Sequence, residues 1–245
     1  MSVIERRAMG EAEPAIQLSW VLPLYRTAEQ LAELLERIGQ VSRRLAVESE
    51  VILVDDACPE GCGALAELAA ARDARVTVVR LPSNGGQDAA LRAGLRRSRG
   101  QWSVILDADL QDPPEAVESL WPLRRQAAIV FARRTGRYSG LGRRITSHAY
   151  RTAVTMVSGL PRGACLYALL SRAAVDRINR AGGARLSLLA LIAATRLDTA
   201  SVPILRAARF NGESGYTSFA RCRKASASLW QMFAARRLNR ASSEI

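Results

Sequence analysis

The chain has 245 residues, 49% hydrophobic and 24% charged, a composition typical of a folded protein with a sizeable core. Its 35 basic and 23 acidic side chains give a net charge of +12. The residues up to Leu123 carry 13 basic and 19 acidic side chains, a net charge of −6, whereas those from Arg124 onward carry 22 and 4, a net charge of +18. The second half therefore suits anionic partners.

Arginine supplies almost all of the positive charge, because Lys224 is the only lysine. Arginine makes forked contacts to phosphate, although a GC-rich genome produces the same bias. The longest uncharged stretches, residues 14–25 and 225–235, have 12 and 11 residues. They are shorter than the ~20 residues that a membrane-spanning helix needs. No secretory signal is recognisable, so we expect a reduced, cytoplasmic protein.

The cysteines and the single histidine narrow the chemistry. Four cysteines lack a paired CxxC arrangement, and His148 alone leaves little for a Cys/His zinc site. One histidine also argues against Ser-His-Asp and Cys-His hydrolases.

The first half alternates short β-rich runs with helical patterns. Thr27-x-x-Gln30 forms a potential capping box for a helix that we expect to end near Gly39, and Asp112 is a potential N-cap for a helix to about residue 125. A further helix is predicted over residues 87–97, and strands are predicted over residues 16–22, 51–54, 76–79, 102–106 and 127–131. This order predicts an α/β fold with a parallel, doubly wound sheet and helices on both faces.

The second half is less regular. We predict basic amphipathic helices over residues 141–159 and after residue 218, helices over residues 173–181 and 186–195, and a strand over residues 201–205. The chain then divides into a polar tail (residues 1–14), one domain (residues 15–220) and a basic amphipathic C-terminal segment (residues 221–245). The two basic helices suit either an anionic membrane surface or packing on the sheet with their charges in water.

Acidic side chains follow two of the predicted strands. Asp55 and Asp56 end one strand, and Asp107 and Asp109 end another. Ligands of open α/β sheets bind at the carboxyl ends of the strands, and an Asp-x-Asp pair there can hold Mg²⁺ together with diphosphate oxygens. The alternative is that these residues only cap the following helices. The loop Asn84-Gly85-Gly86-Gln87 could turn its backbone amides toward a nucleotide.

Taken together, these segments resemble the family-2 glycosyltransferases of GT-A fold. Within that family they resemble enzymes that transfer sugars to polyprenyl phosphates, namely dolichyl-phosphate mannose synthases, bactoprenol glucosyltransferases and undecaprenyl-phosphate formamido-arabinose transferases. The matching segments are Leu22-Pro-Leu-Tyr25, Val51-Ile-Leu-Val-Asp-Asp56, Asn84-Gly-Gly-Gln87 with Ala90 and Ala93-Gly94, Asp107-Ala-Asp-Leu-Gln-Asp-Pro-Pro114, and Arg209-x-x-Gly-Glu-Ser-Gly-Tyr216.

The resemblance implies an inverting transferase that uses Mg²⁺ or Mn²⁺ and a UDP- or GDP-linked sugar. Residues 15–135 would form the nucleotide-sugar half and residues 136–220 the acceptor half. Asp107 and Asp109 would be the catalytic residues and metal ligands. The expected nucleotide-sugar residues are Pro23, Tyr25, Asp55, Asp56, Asn84, Gly86, Gln87, Asp107 and Gln111. The expected contacts to the diphosphate or the acceptor phosphate are Arg209, Ser214, Arg133 and Arg134.

Three segments depart from the family pattern. Arg26-Thr27 replaces Asn-Glu after the first strand, Gly215 replaces a lysine, and residues 164–168 lack an expected arginine. These departures leave open a transferase that acts on a small-molecule hydroxyl, and a relative that binds nucleotide or lipid without turnover.

The charge distribution bears on the acceptor. A hydroxyl acceptor needs a general base, and the four acidic residues after Leu123 are poorly placed to supply one, although Asp112 could. A phosphate acceptor is already anionic, so we expect polyprenyl phosphate or an anionic membrane surface as partner, with the protein peripheral on the inner face of the membrane. No nucleic-acid motif is present, and a homodimer is compatible with the sequence.

Overall fold

The computed structural model of the chain describes residues 15–135, 155–156, 158–181 and 186–205. The strands are β1 (Leu18–Leu24), β2 (Ser49–Asp55), β3 (Val76–Arg80), β4 (Trp102–Ile105), β5 (Ile129–Thr135), β6 (Ala168–Ser171) and β7 (Thr199–Leu205). The helices are α1 (Leu31–Arg44), α2 (Cys62–Arg72), α3 (Gln87–Arg97), α4 (Val117–Leu120), α5 (Arg172–Arg180) and α6 (Leu188–Ala194). Short 3₁₀ turns, Pro114–Ala116 and Trp121–Arg125, flank α4.

The strands form one sheet in the order β3-β2-β1-β4-β6-β5-β7. Neighbouring strands are parallel except at β6, which runs antiparallel to both β4 and β5. The predicted α/β fold with a mostly parallel sheet is therefore confirmed, and the reversed strand β6 is an element that the sequence did not predict.

Apolar side chains on the two faces of the sheet enter two separate cores. On β1, Trp20 and Leu22 face the core that α1 covers, whereas Val21 between them faces the core that α3, α5 and α6 cover. This follows from the two-residue period of a strand, and it confirms the prediction of helices on both faces.

The loops after β1 and β4 meet where the strand order reverses. From β1 the chain moves outward to β2 and β3, and then returns to the other side of β1 to form β4. A crevice opens at such a reversal because the connections on its two sides cover opposite faces, and ligands of open α/β sheets bind there. The sheet topology thus brings the Asp107 and Asp109 loop beside the loops after β1 and β2.

Two predicted helix boundaries were wrong. Helix α1 begins at Leu31 without a side-chain cap, and the Thr27 hydroxyl is buried without a hydrogen-bond partner, so the capping box does not form. The same helix continues past Gly39, its predicted end, to Arg44. Gly39 is a buried residue in the middle of the helix.

The segment after Asp112 is helical over the predicted range, but it is not one continuous α-helix. Residues 114–125 form a 3₁₀ turn, one turn of α-helix and a second 3₁₀ turn. Pro122 lacks the N–H that a continuous α-helix needs, which accounts for the break. Asp112 precedes the N-cap position, which Pro113 occupies, and its side chain is fully buried in an ion pair with Arg134.

Other predicted elements are present with shifted limits. Strand β5 continues to Thr135, so Arg133 and Arg134 lie within it, and α5, α6 and β7 match the three later predictions closely. The polar tail, the C-terminal segment and most of the two basic amphipathic helices lie outside the described residues. Among the helices that are described, none is both long enough and apolar enough to cross a bilayer.

Candidate functional site

Asp55 and Asp56 leave the end of β2 and are both buried. Asp55 accepts a hydrogen bond from the Cys58 amide at 2.9 Å, and its second oxygen lies 3.5 Å from the Arg80 guanidinium. The Asp55 carboxylate thus stabilises the turn that follows β2, and the Arg80 guanidinium on β3 balances its negative charge. Its predicted contact with a nucleotide stays a prediction.

Asp56 organises the glycine loop. Its two carboxylate oxygens accept hydrogen bonds from the backbone amides of Gly85 at 2.7 Å and Gly86 at 2.9 Å. Gly86 has a φ of +80°, which favours glycine, and it immediately precedes α3. Asn84 and Gln87 on this loop are exposed at the crevice. The carboxylate of Asp56 therefore holds the loop in place through the backbone, a role that the sequence did not reveal.

Asp107 and Asp109 follow β4 and are half-buried. Asp107 accepts a hydrogen bond from the Gln87 side-chain amide and lies 3.4 Å from the Arg134 guanidinium. Asp109 accepts a hydrogen bond from the backbone amide of Gln111 at 3.1 Å. Leu110, between the two residues, has a φ of +57°. The left-handed turn at Leu110 thus lies between Asp109 and the backbone amide that donates to its carboxylate.

Arg134 joins the site from β5. Its guanidinium contacts the carboxylates of both Asp107 and Asp112, and its side chain is 25% exposed, while Asp112 is fully buried. Burial opposes the charge on Arg134, but Cys165, Asp112 and Asp107 outweigh it, so its pKa lies above the usual arginine value. The preceding residue, Arg133, is exposed. The two adjacent arginines, which the sequence did not distinguish, thus have different environments.

Tyr25 and Arg26 form the rim of the site after β1. Tyr25 is 41% exposed, and the Arg26 guanidinium lies 5.5 Å from the centre of its ring. Arg26 also approaches Glu60 at 3.5 Å, so its positive charge is paired with an acidic side chain at the rim. Pro23, at the end of β1, is half-buried behind them.

The arrangement fits a hard divalent cation shared with a substrate. Two aspartates on one loop are the carboxylate donors that Mg²⁺ or Mn²⁺ takes, with phosphate and water oxygens completing the shell. The segments that the structure describes contain no cluster of three or more His, Cys, Asp or Glu side chains suited to a metal. The donor set thus matches a cation that arrives with a diphosphate rather than one enclosed by protein alone.

The structure gathers most of the predicted residues around the crevice at the carboxyl ends of β1, β2 and β4. It does not test those that lie outside the described residues, Arg209 and Ser214. Sequence reasoning missed the Asp112–Arg134 ion pair, the hold of Asp56 on the glycine loop and the approach of Cys58 to Cys62. Only the cysteines carried a signal, a spacing of four residues across one strand-to-helix loop.

The sequence comparisons identify relatives. The model of glycosyl transferase family 2 matches residues 19–176. An undecaprenyl-phosphate 4-deoxy-4-formamido-L-arabinose transferase from Pseudomonas fluorescens is 34% identical over 208 residues, which are 82% of this chain and 60% of the relative. A transferase of the same name from Proteus mirabilis is 30% identical over 214 residues, 85% of this chain and 65% of the relative. The chain spans less than two thirds of these relatives.

Solved structures of glycosyltransferases share the fold. A mannosyltransferase from Pyrobaculum calidifontis in complex with GDP-Man and Mn²⁺ has a TM-score of 0.56 at 18% identity, covering 98% of this chain and 80% of that chain. Glucosyl-3-phosphoglycerate synthase from Mycobacterium tuberculosis, in complex with Mn²⁺ and UDP-glucose, has a TM-score of 0.61 at 16% identity, covering 98% and 83%. The GT-A architecture of the sheet and the family match over more than half of the chain lead to one conclusion: this chain belongs to glycosyl transferase family 2.

Proposed function

We propose that the chain is an inverting, metal-dependent glycosyltransferase that moves a sugar from a nucleotide-sugar donor to a polyprenyl phosphate. The observation that carries the proposal is the contact of half-buried Arg134 with the Asp107 and Asp109 loop at the reversal of the strand order. The relatives, which are named as undecaprenyl-phosphate transferases, support the choice of acceptor.

The donor would lie across the loops after β1 and β2. Tyr25 and Pro23 offer an apolar wall for the base, with Asp55 behind them. The glycine loop, held by Asp56, presents the exposed side chains of Asn84 and Gln87 toward the crevice. Gln111, nearly buried beside Asp109, would line the sugar end.

Asp107 and Asp109 would hold Mg²⁺ or Mn²⁺ against the donor diphosphate. The cation supplies charge neutralisation to the leaving nucleoside diphosphate. Asp107 also accepts from Gln87 and contacts Arg134, and its two oxygens keep lone pairs for the cation. The guanidinium of Arg134, held by Asp112, would face the acceptor.

The acceptor phosphate would be oriented by Arg134, with Arg133, Arg209 and Ser214 as further contacts to phosphate groups. A phosphate oxygen attacks the anomeric carbon from the side opposite the leaving group, a new carbon–oxygen bond forms, and the bond to the diphosphate breaks with inversion. The nucleophile is an anion and needs no general base, so positioning and charge stabilisation supply the catalysis. An acceptor of this kind also places the active protein at a membrane surface.

A transfer assay with the purified chain tests the proposal. UDP- and GDP-linked sugars are supplied one at a time with Mn²⁺ and undecaprenyl phosphate in detergent, and the glycosylated lipid is measured. We expect one donor class to be used, and Asp109→Ala to lower transfer at least about 100-fold, since it removes a charge that acts in the transition state. Asp176→Asn, on the exposed side of α5, should leave transfer unchanged.

Full transfer by Asp109→Ala, with unchanged metal-dependent nucleotide binding, would contradict the role of that residue. Transfer to a hydroxyl acceptor but not to undecaprenyl phosphate would overturn the proposed acceptor. Nucleotide binding without transfer or donor hydrolysis under any condition would overturn the enzymatic proposal itself.

A further inference from the structure

Two cysteines lie side by side at the edge of the proposed donor site. The sulfur atoms of Cys58 and Cys62 are 2.6 Å apart. Cys58 belongs to the loop after β2, three residues beyond Asp55, and is half-buried, whereas Cys62 is 1% exposed and is the first residue of α2. A disulfide bond is about 2.05 Å long, so only a small displacement separates the two thiols from a covalent bond.

The backbone around the pair distinguishes the two thiols. The Arg26 amide donates a hydrogen bond to the Cys58 sulfur at 3.2 Å. Burial opposes the Cys58 thiolate, but the hydrogen bonds from Cys62 and from nearby backbone amides outweigh it, so the pKa of Cys58 lies below the usual cysteine value. Burial and the hydrogen bond with Cys58 raise the pKa of Cys62. One accessible nucleophilic sulfur thus faces one buried partner.

A metal explains the pair less well than redox chemistry does. Structural zinc takes four protein ligands. Within the described segments no third metal-ligating side chain joins the two sulfurs, and the groups that approach them are amides. Amides that donate to sulfur stabilise a thiolate but cannot complete a cation's shell.

We propose that Cys58 and Cys62 form a redox-active dithiol that a hydroperoxide converts into a reversible intramolecular disulfide. The Cys58 thiolate attacks the peroxide oxygen, the O–O bond breaks, and Cys58 becomes a sulfenic acid as hydroxide leaves. The Cys62 sulfur then attacks the Cys58 sulfur, the S–O bond breaks, and water leaves. Two thiols and one hydrogen peroxide thus give one disulfide and two waters, and a dithiol reductant reverses the change.

The disulfide would act on the donor site, a consequence that rests on the proposed function. Arg26 holds a φ of +57°, which is unfavourable for a residue other than glycine, while its amide is bound to the Cys58 sulfur. A disulfide sulfur is a weaker acceptor than a thiolate, so the loop with Tyr25 and Arg26 loses an anchor. The turn that the Cys58 amide closes onto Asp55 would shift as well.

Peptide mass spectrometry of the full chain tests the disulfide without any substrate. Trypsin releases residues 45–72 as one peptide with both cysteines, and residues 163–172 as a peptide with Cys165 alone. After graded hydrogen peroxide and alkylation, we expect the first peptide to lose 2 Da and take up no alkyl group. Cys165 should stay alkylated at the same dose, since burial raises its pKa. Dithiothreitol should restore two alkylation sites.

Two variants test the order of events. Cys62→Ser should stop at the sulfenic acid on Cys58, which dimedone traps, whereas Cys58→Ser should leave Cys62 unreacted at that dose. The proposal is overturned if the peptide with Cys58 and Cys62 keeps both alkylation sites at every peroxide dose that leaves Cys165 alkylated. It is also overturned if the Cys62→Ser chain gives no dimedone adduct.

The consequence for the donor site is tested by titrating UDP and GDP with Mn²⁺ against the reduced and the oxidised chain. We expect oxidation to weaken binding about fivefold, the effect of roughly one lost hydrogen bond, and Cys165→Ser to respond like the unchanged chain. Unchanged affinity in a chain that carries the disulfide overturns the regulatory effect. If the reduced chain binds neither nucleotide, the result counts against the proposed function. The mass shift of the peptide then decides separately whether the dithiol forms a disulfide.

Discussion

Arg133 and Arg134 are adjacent in sequence but differ in what they can do. Successive side chains of a strand point to opposite faces, so β5 leaves Arg133 exposed and directs Arg134 between Asp107 and Asp112. The sequence indicated both arginines equally. It could not separate them, because the contact of Arg134 with the aspartates depends on how β5 aligns with the loop after β4. The pair Asp107 and Asp109, in contrast, could be predicted from its position after an apolar run.

The difference predicts unequal effects of substitution. Arg134→Gln should lower kcat for lipid-phosphate glycosylation about 100-fold, because it removes the half-buried cation, and should destabilise the fold by removing the ion pair with the buried Asp112. Arg134→Lys keeps the charge and restores much of the stability, but it loses the forked contact, so its kcat should remain low.

The matched variants lie on the surface. Arg133→Gln should raise the KM for lipid phosphate about threefold with little change in kcat, as expected of an exposed charge. Arg125→Gln should change neither parameter. The measurements are steady-state kinetics and thermal unfolding, and equal losses in kcat for Arg133→Gln and Arg134→Gln would contradict the assignment.

At the scale of elements, the alternation of strands and helices was predictable because apolar runs of four to seven residues between helical patterns have few other solutions. The capping box does not form, because the Thr27 hydroxyl is buried without a hydrogen-bond partner. The break in the helix after Asp112 was predictable from Pro122, but the pairing of Asp112 with Arg134 was not, since it is a tertiary contact with a distant strand. Strand β6 was missed because its four residues run directly into α5, and its antiparallel pairing with β4 and β5 is a tertiary contact.

Replacing two helical glycines by alanine tests helix packing, because the two substitutions should change the free energy of unfolding in opposite directions. A Cβ on Gly94 of α3 would lie 2.3 Å from the Val21 Cγ1 atom and 3.0 Å from Val54, so α3 and the sheet would have to separate. A Cβ on Gly39 of α1 would meet only the tips of Arg43 and Arg75, at 3.5 and 3.7 Å.

Gly94→Ala should therefore lower the free energy of unfolding by about 1–3 kcal/mol, the usual cost of overpacking. Gly39→Ala should raise it by about 0.5–1 kcal/mol, because alanine is the better helix former. Denaturant unfolding of the two variants measures both values. Stabilisation by Gly94→Ala would mean that α3 packs less closely on β1 than described.

At the scale of the whole molecule, the two halves of the chain carry charges that match the two proposed substrates. The half up to Leu123, at −6, contains the carboxylates that would hold the cation and its nucleotide, and the half from Arg124, at +18, contains Arg134 and the basic segments. Both halves contribute to one sheet, since β5, β6 and β7 continue the order begun by β1 to β4. The proposed cation-dependent donor and phosphate acceptor would thereby meet at one crevice.

The excess positive charge predicts binding to anionic lipid. Vesicles with phosphatidylglycerol should co-sediment the chain at low ionic strength and release it as salt is raised, because screening shortens the reach of the charges to about 10 Å at 0.1 M. Neutral vesicles should bind little.

Replacement of Arg236 and Arg237 by serine should weaken binding, since they lie in the basic segment after residue 218. The charge-matched replacement of Arg96 and Arg97, exposed at the end of α3, should not. Equal weakening by both pairs would show that net charge alone draws the protein to the lipid, whereas loss with the first pair only assigns attachment to the C-terminal half.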